Sequence, residues 1–153
     1  MNTPPTYLAE KNPHERDTRI TFDEGPHIYT IDGDSDYTSV TTFCHSLFEH
    51  FDADKIITKM MNSKRWTESK YYGMTREEIK KQWADNGNEA SKAGTKLHYD
   101  IECYYNKSPN ENSSIEYSYF MKFAERFPHL EPYRTEWMIF HEELKLAGSI
   151  DML

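Results

Sequence analysis

Pro128 and Pro132 split the chain by periodicity, and that split is the strongest constraint on its fold. Proline removes a backbone donor and clashes with the preceding helical turn, so no helix continues through this segment. Upstream, apolar residues recur at helical spacing: Phe43, Leu47 and Phe48; Ile56, Ile57, Met60 and Met61; Ile79 and Trp83; Ala93, Leu97 and Ile101; Tyr119, Phe120 and Phe123. Downstream, residues 134–140 and 145–153 read as two strands joined by a short turn. Near the other end, Ile20–Phe22 and His27–Ile31 flank Asp23-Glu-Gly-Pro26 and predict a hairpin, followed by a second turn over Asp32–Asp36. Tyr37–Val40 fits either a strand or the approach to a helix. The order hairpin, helices, hairpin predicts an α/β or α+β domain, a small mixed sheet flanked by helices.

Capping chemistry sharpens the helical block. A helix is expected from Thr41 or Thr42 to near Phe51, and a second from Asp52 or Asp54, whose carboxylate accepts from free amides. Thr75-Arg-Glu-Glu78 is a capping box that opens a third. Asn86-Gly-Asn88 is a candidate interruption, with the helical period resuming over Ala90–Tyr105. Ser108–Ser114 is a polar loop, and Ile115–Phe127 a further helix. Residues 1–17 are polar, hold three prolines and show no period, so they predict a flexible arm ahead of one domain over 18–153.

The 153 residues, 37% hydrophobic and 14% aromatic, suffice for one modest core. No run of eighteen apolar residues exists and the start lacks the pattern of a signal peptide, so a soluble chain with no membrane partner is expected. Cys44 and Cys103 are too few for a disulfide framework or a four-ligand zinc site, and read as reduced thiols in an intracellular setting. The net charge of −8 argues against a surface that clings to polyanions throughout. Its distribution is uneven: residues 55–96 hold ten Lys/Arg against five Asp/Glu, while both flanks are acidic. A basic helical arm beside an acidic pocket suits a metal-assisted phosphodiesterase; a solvated helix face explains the same charges. Trp66, Tyr71, Tyr72 and Trp83 interleave with Lys64, Arg65 and Lys70, which fits stacking on single-stranded DNA and equally fits ordinary packing.

Four residues are candidates for chemistry. His98 and Glu102 lie four apart on a predicted helix, so both side chains share one face. An imidazole and a carboxylate both ligate divalent cations, although imidazole is softer than Mg²⁺ prefers. Asp151 stands in an otherwise apolar strand, where a carboxylate is costly unless solvated, paired or metal-bound. Glu136, in the preceding strand, reaches the same pocket if the two strands pair. Gly94 within the helix suggests close approach of a backbone or substrate, or a simple helix junction; Gly148 suggests a bend or close approach in the last strand.

Gly94, His98 and Glu102 on a helix, Glu136 on a strand, and Gly148-Ser-Ile-Asp151 on the next together resemble the PD-(D/E)XK nuclease superfamily, in its RecB-like exonuclease branch. The run Pro26–Gly33 with Tyr37–Phe43 is similar to the N-terminal region of such nucleases in large DNA viruses and phages. The resemblance spans about residues 20–153. It implies a restriction-endonuclease-like core that hydrolyses DNA phosphodiesters with Mg²⁺ or Mn²⁺. His98 and Asp151 would bind metal, and Glu102 and Glu136 would support the site. If viral, the chain would act in the cytoplasm or nucleus of an infected host. The family's final acidic-x-Lys strand has no counterpart before Leu153, so a domain truncated ahead of its last motif is expected. The alternative is a non-catalytic module that binds nucleic acid or protein.

Overall fold

The computed structural model describes residues 4–108 and 110–153. It is a mixed α and β structure with helices α1 (Tyr7–Lys11), α2 (Val40–Ser46), α3 (Ala53–Met61), α4 (Arg76–Tyr105) and α5 (Ile115–Arg126). The strands are β1 (Ile20–Asp23), β2 (Ile28–Ile31), β3 (Thr38–Ser39), β4 (Thr135–His141) and β5 (Leu146–Met152). Among the described residues no helix is long and apolar enough to cross a membrane. Both cysteine thiols are free, Cys44 exposed and Cys103 buried. The chain packs as two compact units, one of residues 49–95 and the other of the flanking segments, where the sequence suggested a single domain over 18–153.

In the larger unit the predicted hairpin forms as expected, β1 antiparallel to β2 with Ile20 opposite Ile31 and Phe22 opposite Tyr29. Asp32 and Gly33 both take positive φ (51° and 85°), which lets the chain reverse tightly after Ile31. The second sheet has the order β3-β5-β4. β4 and β5 are antiparallel, with Trp137 opposite Ile150 and Phe140 opposite Ala147, while Thr38 and Ser39 pair in parallel with Leu146 and Ala147. Ile20, Tyr29, Ile31 and Ala147 form the buried core, with Phe22, Tyr37, Met138 and Phe140 packed against it. The ambiguous segment at Tyr37–Val40 is therefore both things: two strand residues, then a helix whose first amides Ser39 caps by accepting from Thr42 N–H.

The segment read as a flexible arm is built into this unit from residue 6 onward; residues 1–3 lie outside the described residues. Leu8 on α1 is buried, and its amide donates to Asn106 Oδ1 at 2.9 Å. A 3-10 turn over Glu15–Thr18 presents Asp17, which accepts from Arg134 Nη1 at 2.7 Å, Arg134 Nη2 at 3.1 Å and Trp137 Nε1 at 3.0 Å. Arg134 is also bonded to Asn12 O. Composition predicts disorder when a segment lacks apolar surface, but here one leucine and one carboxylate find buried partners supplied by distant sequence. Asn106 performs a similar task at the end of α4. Its side-chain amide donates to Glu102 O and to Thr135 Oγ1 at 2.8 Å, joining α1, α4 and β4. The helix closes there with Lys107 at φ 57°, Ser108 N–H donating to Cys103 O and Lys107 N–H to Tyr104 O, a Schellman ending. In the loop that follows, Pro109 lies outside the described residues. Buried Asp100, paired with Lys96 one turn earlier on the helix, ties that loop to α4 by accepting from Asn112 and, at its backbone oxygen, from Asn110.

In residues 49–95, Asp52 caps α3 by accepting from Lys55 N–H, and the Thr75–Glu78 capping box opens α4, both as expected. Ile57 and Ile79 are completely buried, and Asp54 on α3 holds Lys80 and Arg76 of α4. Asn86-Gly-Asn88 does not interrupt α4, which runs unbroken for 30 residues. One helical glycine costs about 1 kcal/mol relative to alanine, less than nucleating a new helix beyond it. Gly94 has open space where a Cβ would stand, so no neighbouring backbone demands a glycine there. At Gly148 a Cβ would meet Val40 at 3.4 Å, an ordinary contact.

Burial pushes the Asp17 carboxyl up, but its hydrogen bonds from Arg134, Trp137 and the His14 amide outweigh this and hold it below the ordinary value of 3.8. Its stabilisation is thus present above that value and lost as pH falls below it. Arg134, whose side chain is 8% exposed, is left with an uncompensated charge when Asp17 is removed. Asp17→Ala is expected to cost about 3 kcal/mol in urea denaturation at pH 7, and the difference from wild type should shrink below pH 4.

Candidate metal centre

The register of β4 and β5 builds the candidate site. Thr135 faces Met152 and Trp137 faces Ile150, so the ladder carries Glu136 across from Asp151. Like charges directly opposite each other destabilise a sheet. The backbone at this point is also strained: Glu136 has φ 44°, left-handed space that non-glycine residues rarely enter inside a strand. Arg134 on one side and Trp137 on the other are both fastened to Asp17, which holds the strained residue in place.

Helix α4 brings the third group. His98 Nδ1 lies 3.9 Å from Asp151 Oδ2, and one ligand atom from each of His98, Glu136 and Asp151 falls within 4.8 Å of the others. The side chains are open to solvent, 58% exposed for His98 and 72% for Asp151. Ser149, two residues before Asp151 and so on the same face of β5, donates from Oγ to Glu136 Oε2 at 3.5 Å. Strand alternation alone could have flagged Ser149, which the sequence reading passed over.

Glu102 stands one turn beyond His98 and is half-buried. Burial, followed by the charge of Glu136, raises its pKa to about 7. The Glu136 carboxyl is also raised. Protein atoms around the carboxyl desolvate it even though the residue as a whole is accessible, and Asp151 adds repulsion that His98 and Ser149 only partly offset. The site is therefore a patch in which two neighbouring carboxylates, Glu102 and Glu136, resist ionising together.

All four residues singled out from sequence converge here, with one rearrangement. Glu136, expected to support the site, is grouped with His98 and Asp151 as a possible ligand, while Glu102 stands outside the three-residue set and interacts with Glu136 through its charge. A cluster of one imidazole nitrogen and two carboxylates within ligand reach can hold a divalent cation, whose charge would relieve the repulsion. The same groups can exchange a proton near neutral pH through Glu102. No protein-family model, curated protein or solved structure matches the chain.

The raised Glu102 pKa has a definite sign in stability. Because the folded value of about 7 exceeds the ordinary 4.5, this group favours folding at low pH and its contribution is lost as pH rises from 4.5 to 7. In metal-free buffer, Glu102→Gln should be more stable than wild type at pH 8 and lose that advantage by pH 4.5, as read from thermal melts across the range. A difference that does not depend on pH would contradict the assignment.

Proposed function

We propose that this chain is a metal-dependent DNA nuclease domain that hydrolyses phosphodiester bonds. The observation that carries the reading is the convergence of His98, Glu136 and Asp151, from one helix and two strands, to within ligand distance of a single point. Support comes from the arrangement of the sheet, in which β4 and β5 deliver carboxylates beside a helix, as a restriction-endonuclease-like core requires, and from the resemblance of these residues to the RecB-like exonuclease pattern.

The donor set fits a divalent cation. Two carboxylates supply oxygen ligands and charge, and the imidazole nitrogen favours Mn²⁺ over the harder Mg²⁺. A cation in such a place polarises a phosphoryl oxygen and lowers the pKa of bound water. His98, Glu136 and Asp151 would hold it; Ser149 orients Glu136 by donating to its carboxylate. Glu102, near its midpoint at neutral pH, holds or releases a proton beside them. The water-positioning lysine of the family has no match in these residues: Lys96 is engaged by Asp100, and Lys145 by Asp34.

Calorimetric titration of Mn²⁺ into the purified chain tests the reading directly. Asp151→Asn and His98→Ala are each expected to weaken binding by at least about tenfold with the fold retained. Linear DNA incubated with Mn²⁺ should be cleaved by wild type and not by Asp151→Asn. Binding without cleavage would leave a non-catalytic module that uses the same site; equal Mn²⁺ affinity in wild type and both variants would remove the metal centre.

A further inference from the structure

Residues 59–74, which lead from the end of α3 to the start of α4, carry Lys59, Lys64, Arg65 and Lys70 against one carboxylate, Glu68, in a chain whose net charge is −8. Arg65 and Glu68 neutralise one another at 3.0 Å. Among the described residues no carboxylate pairs with Lys59, Lys64 or Lys70; the ammonium of Lys70 sits 4.9 Å from the centre of the Tyr71 ring. Lys59 and Lys64 thus have no carboxylate partner, and Lys70 is held only by the neutral Tyr71 side chain.

The aromatics of this segment divide into two kinds. Tyr71 is structural: its hydroxyl accepts from Trp83 Nε1 at 2.8 Å, and Trp83 packs in turn on Phe51. Tyr72 is not. It is 58% exposed, and among the described residues its one aromatic contact is the edge-to-face packing of Trp66, ring centres 6.0 Å apart. Trp66 opens a short 3-10 turn, and Gly73 at φ 87° reverses the chain directly after Tyr72, so the two rings are braced by turns on both sides.

We propose that this segment is a binding surface for single-stranded DNA, with Tyr72, braced by Trp66, stacking on an unpaired base and Lys64 and Lys70 holding the adjoining phosphates. Every base has a flat face, so one exposed ring flanked by cations binds single strands without reading sequence. A duplex hides those faces, and an acidic peptide would use the lysines but leave the ring idle. The surface needs no metal ion, and only the choice of DNA over RNA rests on the nuclease reading.

The test uses the full chain and a fluorescent dT oligomer in EDTA, followed by anisotropy at several salt concentrations. Binding should be lost on raising salt, and Tyr72→Ala should weaken it by about tenfold while Tyr72→Phe retains it. Lys64→Gln with Lys70→Gln should lower the log–log salt slope by about 1.4, since each phosphate contact on a single strand contributes about 0.7. The proposal is overturned by no binding at low salt, by equal losses in Tyr72→Ala and Tyr72→Phe, or by an unchanged slope. Displacement of the oligomer by polyglutamate would point instead to an acidic protein, and tighter binding of oligo-rU would overturn the choice of DNA. Mn²⁺ calorimetry on Tyr72→Ala keeps the two readings apart, because the metal centre stands or falls there whatever the oligomer does.

Discussion

The register between β4 and β5 is the constraint on which the candidate site depends. A slip of one residue would send Asp151 to the opposite face and dissolve the cluster with His98 and Glu136. Two long-range ties prevent it. Asp17 grips Arg134 and Trp137 on either side of Glu136, and Asn106 bonds the end of α4 to Thr135 at the start of β4. The first fixes the strand, and the second fixes the distance between the strand and the helix that carries His98. Both depend on polar side chains that are buried and therefore need their partners. The N-terminal segment is thus part of the scaffold of the site, although it contributes none of its chemistry.

What these ties hold together is locally unfavourable. Glu136 sits in left-handed backbone space opposite another carboxylate, and Glu102 is half-buried beside it. A sequence selected only for stability would place a glycine or asparagine at the left-handed position and a threonine or valine across from it, where a β-branched side chain packs well on a ladder. Strain and like-charge repulsion at one point are the pattern expected where binding, rather than folding, sets the residue types. A divalent cation bound among these groups would turn the repulsion into attraction, and the cost of gathering the carboxylates would then count toward its binding.

Much of the local structure was legible in the sequence because it rests on short-range chemistry. The Asp23–Pro26 turn, the Asp52 cap, the Thr75–Glu78 box and the break at Pro128 each involve residues a few positions apart, and each appears where expected. What was not legible came from sequence-distant pairing: the parallel contact of β3 with β5, the burial of Leu8 against Asn106, and the Asp17–Arg134 pair. The left-handed Glu136 had no signal at all, since the usual markers of positive φ are glycine and asparagine. The continuous α4 shows the reverse error, in which a local breaker at Gly87 was outweighed by the cooperativity of the helix around it.

Net charge is a poor guide to what this chain binds, because attraction is set over a Debye length of about 10 Å rather than over the whole sequence. The acidic excess is carried by residues 1–54 and 97–153, where some carboxylates are consumed structurally, Asp17 by Arg134 and Asp34 by Lys145, and others gather around His98. The basic excess is confined to residues 55–96. Cations there are likewise consumed in part, Lys80 and Arg76 by Asp54 and Lys81 by Asp85, which leaves the uncommitted ones concentrated before α4. With the ion pairs set aside, the segment before α4 keeps lysines and no unpaired carboxylate. A polyanion repelled by the chain on average would still meet lysines free to take its phosphates, and a divalent cation would find the carboxylates that remain unpaired.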